Sequence, residues 1–210
     1  MRSTRYLRFW NGLMRSNEFS MRIEKMNEGE PNRSVNSEDC QNMRQYSGAE
    51  ELASNLPYIA MTVLGSIVLI VGLSGSVWRW AAGIVYFLYG VLGAFWIMFF
   101  VCSYCRYWGT RSCPCGYGRV AAKIRARKPG DRFAEKFRKH IPVIVPLWFV
   151  PVLVGAAVLL RSFSWAFLIL SITFAVDAFL ILPLFSKGHA CKDCPQKDTC
   201  PWMRRTPAAV

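Results

Sequence analysis

The chain has 210 residues, with 26 Lys and Arg against 13 Asp and Glu, a net charge of +13, and 53% hydrophobic residues. That is one domain of ordinary size, and the totals alone would suit a soluble protein with a rich core. The placement of charge excludes this: residues 52–78 and 80–105 carry none, 140–160 carry no Lys, Arg, Asp or Glu, and 162–186 carry only Asp177.

Each of these runs is long enough for the roughly 20 apolar residues that cross a bilayer as a helix. Buried helices of soluble proteins are usually shorter and keep a polar face. The pattern predicts an all-α membrane protein with four transmembrane helices in two antiparallel hairpins.

In chain order, residues 1–17 hold Arg2, Arg5, Arg8 and Arg15 without an acid, and Tyr6, Phe9, Trp10 and Leu13 recur at helical spacing. This suits a short interfacial helix, an organellar transit peptide, or a start placed upstream of Met21, Met26 or Met43. No continuous apolar stretch marks a secretory signal in the first twenty residues. Residues 18–50 are polar and poor in β-branched residues, which predicts disorder. The expected division is a largely disordered tail over 1–55 and a membrane domain over 56–210. Cys40, in the tail, reads as an exposed inert thiol.

The first spanning helix is predicted from Pro57, a first-turn proline, to Leu73. A turn with Gly72, Ser74, Gly75 and Ser76 comes next. The second runs from Val77 to Val101, anchored by Trp78, Arg79 and Trp80. Gly83, Gly90 and Gly93 leave room for a neighbouring helix, and Tyr86 and Tyr89 are expected between helices. Residues 119–139 read as two short basic helices lying on the membrane surface, one with Val120, Ala121 and Ile124 as its apolar stripe. Pro129-Gly130 separates them, Asp131 can cap the second, and Phe133/Phe137 and Glu135/Lys139 are paired at i,i+4. The third spanning helix, Pro142–Leu160, contains Pro146 and Pro151. Pro151 must kink it or be relieved by a neighbour. The fourth runs from Phe163 to Phe185, joined to the third by a few residues around Arg161 and Ser162.

Basic residues sort to one side. Residues 104–140 hold eleven basic and two acidic side chains, and 186–210 hold five and two, whereas the two short connections on the other side hold only Arg79 and Arg161. Cytoplasmic loops collect Lys and Arg, so both termini and the 104–140 loop are expected in the cytoplasm. The basic loop is expected to meet the bilayer and its anionic lipid headgroups, with no nucleic acid as partner.

Seven of the eight cysteines fall in two clusters, each just after a helix predicted to end on the cytoplasmic side. In 102–118, Cys102 and Cys105 form a C-x2-C pair, succeeded by Cys113-Pro-Cys115-Gly. In 189–201, His189 precedes Cys191, Cys194 and Cys200. A C-x2-C turn points two thiolates at one centre, and two such halves complete a tetrahedral sulfur site. The eight candidate ligands divide into Cys102, Cys105, Cys113 and Cys115, and a second set of His189, Cys191, Cys194 and Cys200; they could also merge into one shared site with spare thiols. In a reducing cytosol this points to metal or redox chemistry in place of disulfides. Zinc is the preferred occupant. An iron–sulfur cluster is the alternative, although the bacterial ferredoxin pattern would need cysteine where Lys197 stands. His140, at the start of the third spanning helix, reads as a membrane-edge histidine.

Asp177 is the one acid inside a predicted span. Such an acid usually faces the bundle interior. It reads either as a structural group bonded to Tyr86, Tyr89 or a nearby serine, or as a relay for protons or cations. The sequence shows no nucleophile–base pair, phosphate loop or HExxH motif. The expected function is electron transfer, with a protein redox partner, or metal handling by a cytosolic Cys/His centre. The alternatives are a scaffold held by structural zinc and a small transporter using Asp177.

Overall fold

The computed structural model describes residues 44–192, 194, 196–197 and 200–203. The expected N-terminal helix, the tail up to residue 43 and Cys40 lie outside the described residues. The described residues belong to one compact unit.

Among the described residues the unit is helical throughout, without strands. Helix α1 is Gly48–Gly72 and α2 is Arg79–Phe100. A 3-10 turn, Cys102–Tyr104, leads to α3, Tyr117–Ile124. Then come α4, Phe133–His140, and α5, Pro146–Arg161. Helix α6, Trp165–Val176, continues through a π-helical turn at Asp177–Ile181 into α7, Leu182–Phe185, and a second π turn at Ser186–Ala190. Among the described residues, four helical stretches are long and apolar enough to cross a membrane: Gly48–Gly72, Arg79–Tyr104, Gly130–Arg161 and Trp165–His189. Large apolar side chains cover the outside of the bundle, among them Ile84, Leu88, Leu92, Leu153 and Ile169. Water would penalise so broad an apolar surface, and a multi-pass membrane protein accommodates it.

Helix α1 begins nine residues before the expected start, and Pro57 lies in its interior. The cause is a capping box: Glu50 N donates to Ser47 Oγ, while Ser47 N donates to Glu50 Oε2, satisfying two end donors reciprocally. Helix α1 is also the hub, touching α2, α5 and α6. Met61, Val68, Leu69, Tyr86, Leu147, Phe167, Phe174 and Ala178 form the buried core.

Close approach is set by glycine. A Cβ on Gly90 would sit 2.5 Å from Thr62 Cγ2, and one on Gly65 would sit 2.5 Å from the Tyr86 ring. Only hydrogen fits at either point, so α1 and α2 come into near backbone contact.

The prolines are relieved by side chains from neighbouring helices. Pro151 has no N–H for the carbonyl of Leu147, four residues back. Tyr86 Oη donates to that carbonyl at 2.7 Å. Tyr89 likewise donates to Val143 O, at the irregular start of the helix. In α6–α7 the ladder shifts to i→i−5, with Leu182 N bonding Asp177 O. In that register Pro183 leaves the Ala178 carbonyl without a donor, and Trp148 Nε1 supplies one at 2.8 Å. These bonds tie α2 to α5, and α5 to the π turn.

Two local expectations differ. Asp131 does not cap α4: it lies within the Gly130–Arg132 3-10 turn, its Oδ1 accepts from the adjacent Arg132 N, and Arg132 takes the N-cap position. Glu135 pairs with Lys136, at 3.3 Å, where Lys139 was expected; both are surface charges with little energetic preference between partners.

Candidate metal centre

The sulfur-bearing segments meet at one end of the bundle. That end gathers the start of α1, the end of α2, the start of α3 and the chain beyond α7. Tyr46 N donates to Arg111 O at 3.0 Å, fixing the segment before α1 against the loop. Lys128 N donates to the carbonyl of the buried Ser103 at 2.9 Å. The later segment is latched by Gln196, itself buried. Arg106 N donates to Gln196 Oε1 at 3.0 Å, while Gln196 Nε2 reaches Tyr104 O at 3.5 Å and Gly130 O at 3.4 Å.

Both C-x2-C segments fold as the same tight turn. Cys105 N bonds Cys102 O at 3.1 Å, and Cys194 N bonds Cys191 O at 3.2 Å. Cys113 and Gly116 close a third such turn at 3.0 Å. Gly116 adopts φ +71°, which glycine tolerates without strain, and so opens α3 directly behind Cys115.

Seven cysteines stand here as free thiols, with Cys113 and Cys200 buried. They form a connected set. Cys102 is within electrostatic reach of Cys105, Cys113 and Cys115. Cys105 senses Cys194 and Cys200, and Cys115 senses Cys191. The two segments therefore bring their cysteines within electrostatic reach of one another. Among the described residues, no three of the Cys, His, Asp and Glu side chains converge tightly enough to hold a metal ion. His189 stands between the rings of Tyr46 and Phe185, at centroid distances of 6.2 and 5.2 Å.

Burial governs the electrostatics. Together with the charge of neighbouring sulfurs, it pushes the thiols of Cys105 and Cys115 up to about 12 and that of Cys191 up to about 11. A buried thiolate without a cation is costly. Acting against this, backbone N–H groups two residues ahead bond three of the sulfurs: Tyr107 on Cys105, Cys115 on Cys113, and Gln196 on Cys194. Gly118 N adds a further bond to Cys113 Sγ at 3.4 Å. Fixed donors aimed at sulfur favour the charged form. Gln196 and these N–H donors are site groups that cysteine spacing by itself does not mark; the recurring step of two residues from sulfur to N–H is the signal in the chain that could have found the donors.

Asp177 is buried at the first position of the π turn, and its Oδ2 has no hydrogen-bond partner. The expected bonds from Tyr86 and Tyr89 are not made. Both hydroxyls are spent on α5 and the turn before it, whose carbonyl oxygens lack donors.

No family model, curated protein or solved structure matches the chain.

Proposed function

We propose that this chain is a multi-pass membrane protein whose cytoplasmic rim carries a thiolate-ligated metal centre, serving electron transfer or metal handling. The supporting observation is the meeting of 102–115 with 191–200, latched by Gln196, with backbone N–H groups aimed at Cys105, Cys113 and Cys194. Neutral thiols gain little from such donors, whereas metal-bound thiolates gain much. Cys102, Cys105, Cys113, Cys115, Cys191, Cys194 and Cys200 are the donor set, with His189 beside them.

The donors suit zinc or an iron–sulfur cluster, both of which take four cysteines. Zinc holds thiolates at about 2.3 Å, so loading one ion would draw these sulfurs closer together. A sulfide-bridged cluster spans a wider gap. The basic 104–140 segment, with α3 and α4, faces anionic headgroups on the same side.

The test is anaerobic purification of the full chain in detergent, then elemental analysis and assay of acid-labile sulfide. Tightly held zinc, or iron with sulfide, supports the reading. A metal-free protein that takes up neither zinc nor iron on reconstitution overturns it.

A second reading rests on Asp177, whose partnerless oxygen lies in a π turn, a feature frequent at functional sites. It assigns Asp177 to a proton or cation relay. Transport lost in Asp177→Asn and kept in the cysteine variants would favour it.

A further inference from the structure

Four tight turns of one form stand at the sulfur-bearing end of the bundle, each headed by a cysteine. Trp108 N bonds Cys105 O at 3.1 Å, Gly116 N bonds Cys113 O at 3.0 Å, Lys197 N bonds Cys194 O at 3.1 Å, and Met203 N bonds Cys200 O at 3.1 Å. In the first three, the N–H two residues beyond the cysteine is aimed back at its sulfur. Proline succeeds Cys113, Cys194 and Cys200 in the chain. It is favoured at the second position of a tight turn and has no N–H of its own, which leaves the next residue as the first donor beyond the sulfur. Cys113 and Cys200 are buried.

Gln196 sets two of these turns side by side. Its backbone N–H is on Cys194, and its side chain accepts from Arg106 N, one residue beyond Cys105. Cys105 is within electrostatic reach of Cys113, Cys194 and Cys200, and Cys194 of Cys113 and Cys200. The remaining thiols are placed differently. Tyr104 N, two residues beyond Cys102, is spent on Val101 O at 3.0 Å. Tyr117 N, two residues beyond Cys115, bonds Cys113. Cys191 closes the π turn, its own N–H bonding Ser186 O at 2.9 Å. Spacing divides the cysteines by segment, or pairs the two C-x2-C turns; the backbone divides them otherwise.

We propose that Cys105, Cys113, Cys194 and Cys200, two from each segment, form one four-thiolate centre for zinc or an iron–sulfur cluster, and that Cys102, Cys115 and Cys191 take no metal. This rests on the thiolate centre proposed above and names its ligands. Four sulfurs complete a tetrahedral zinc site or hold one cluster, and loading draws the four turns inward. The N–H donors behind Cys105, Cys113 and Cys194 then stabilise metal-bound thiolate.

The test uses the full chain in detergent without oxygen, loaded in parallel with zinc alone and with iron plus sulfide. Cys105→Ser, Cys113→Ser, Cys194→Ser and Cys200→Ser should each weaken metal binding, read by chelator competition, by about 100-fold or more, the upper end of what losing an outer partner costs. Cys102→Ser, Cys115→Ser and Cys191→Ser should hold metal as wild type. The unmutated chain gives a second readout that no misfolded variant can confuse. By peptide mass spectrometry after N-ethylmaleimide, metal should slow alkylation of the four ligands and leave the other three thiols at their metal-free rates. Metal lost in Cys102→Ser or Cys115→Ser and kept in Cys194→Ser and Cys200→Ser overturns the assignment in favour of a centre within one segment. Loss in Cys102→Ser and Cys191→Ser, with Cys113→Ser and Cys200→Ser intact, overturns it in favour of the paired C-x2-C turns. In both cases the thiolate centre itself stands. A wild type that takes up neither zinc nor iron removes that centre, and the assignment with it.

Discussion

Tyr86→Phe isolates one bond in the bundle. The ring would stay against Gly65, where its fit is tightest, and only the hydroxyl would be lost. The Leu147 carbonyl would then have no donor, because Pro151 cannot supply the helical one. A buried orphan carbonyl costs about 1–3 kcal/mol, and hydrogen bonds between membrane helices average about 0.6 kcal/mol, reaching about 1.7. The expected loss is near 1 kcal/mol, about a five-fold change in the folding equilibrium. Pro151→Ala restores an N–H at the right place, so Tyr86→Phe should cost at most about 0.3 kcal/mol in that background. Unfolding of the four proteins in mixed micelles gives the double-mutant cycle. Equal costs for Tyr86→Phe in both backgrounds would refute the assignment of Tyr86 as the donor that replaces Pro151.

The same geometry sets further outcomes. Gly90→Val should destabilise by about 1–3 kcal/mol through overpacking on Thr62, read as a lower Tm in detergent; Gly75→Val, where an added side chain meets nothing, should change it far less. Gln196→Ala should release the later cysteine segment, so that maleimide modifies the buried Cys200 several-fold faster in metal-free protein while helix content is unchanged. In metal-free protein, burial makes the protonated thiol the favoured form at Cys105, Cys115 and Cys191. Their folded values lie above the ordinary value of about 8.5, so this contribution is complete below that pH and is lost as pH rises toward 11–12. Tm should fall over that window, and alkylation of these thiols should be slow at pH 8 and rise steeply above pH 10.

Much of this architecture is legible in the chain because lipid imposes a simple rule. Charge-free runs of sufficient length become helices, and the ends of α2 and α5 fall within a few residues of expectation. The early start of α1 is hidden by the polarity of its first turn, although the spacing Ser47-x-x-Glu50 already encodes the cap. Relief of Pro151 is foreseeable from sequence, but its donor is not. That pairing depends on the rotation of α2 about its own axis, which packing against α1 at Gly65, Gly83 and Gly90 sets. The surroundings of Asp177 are out of reach for the same reason: Tyr86 and Tyr89 each serve one acceptor, and the orphan carbonyls take both. The cysteine spacings mark the candidate centre, whereas the Gln196 latch and the Glu51–Arg119 ion pair join residues about seventy to ninety positions apart, which no local pattern reveals.

X-ray absorption at the metal edge of the anaerobically purified full chain tests the metal proposal most directly. A first shell dominated by sulfur at about 2.3 Å is expected, with occupancy lost in Cys105→Ser and equally in Cys194→Ser, one from each segment. A shell of oxygen and nitrogen, or full occupancy in either variant, would contradict the proposal.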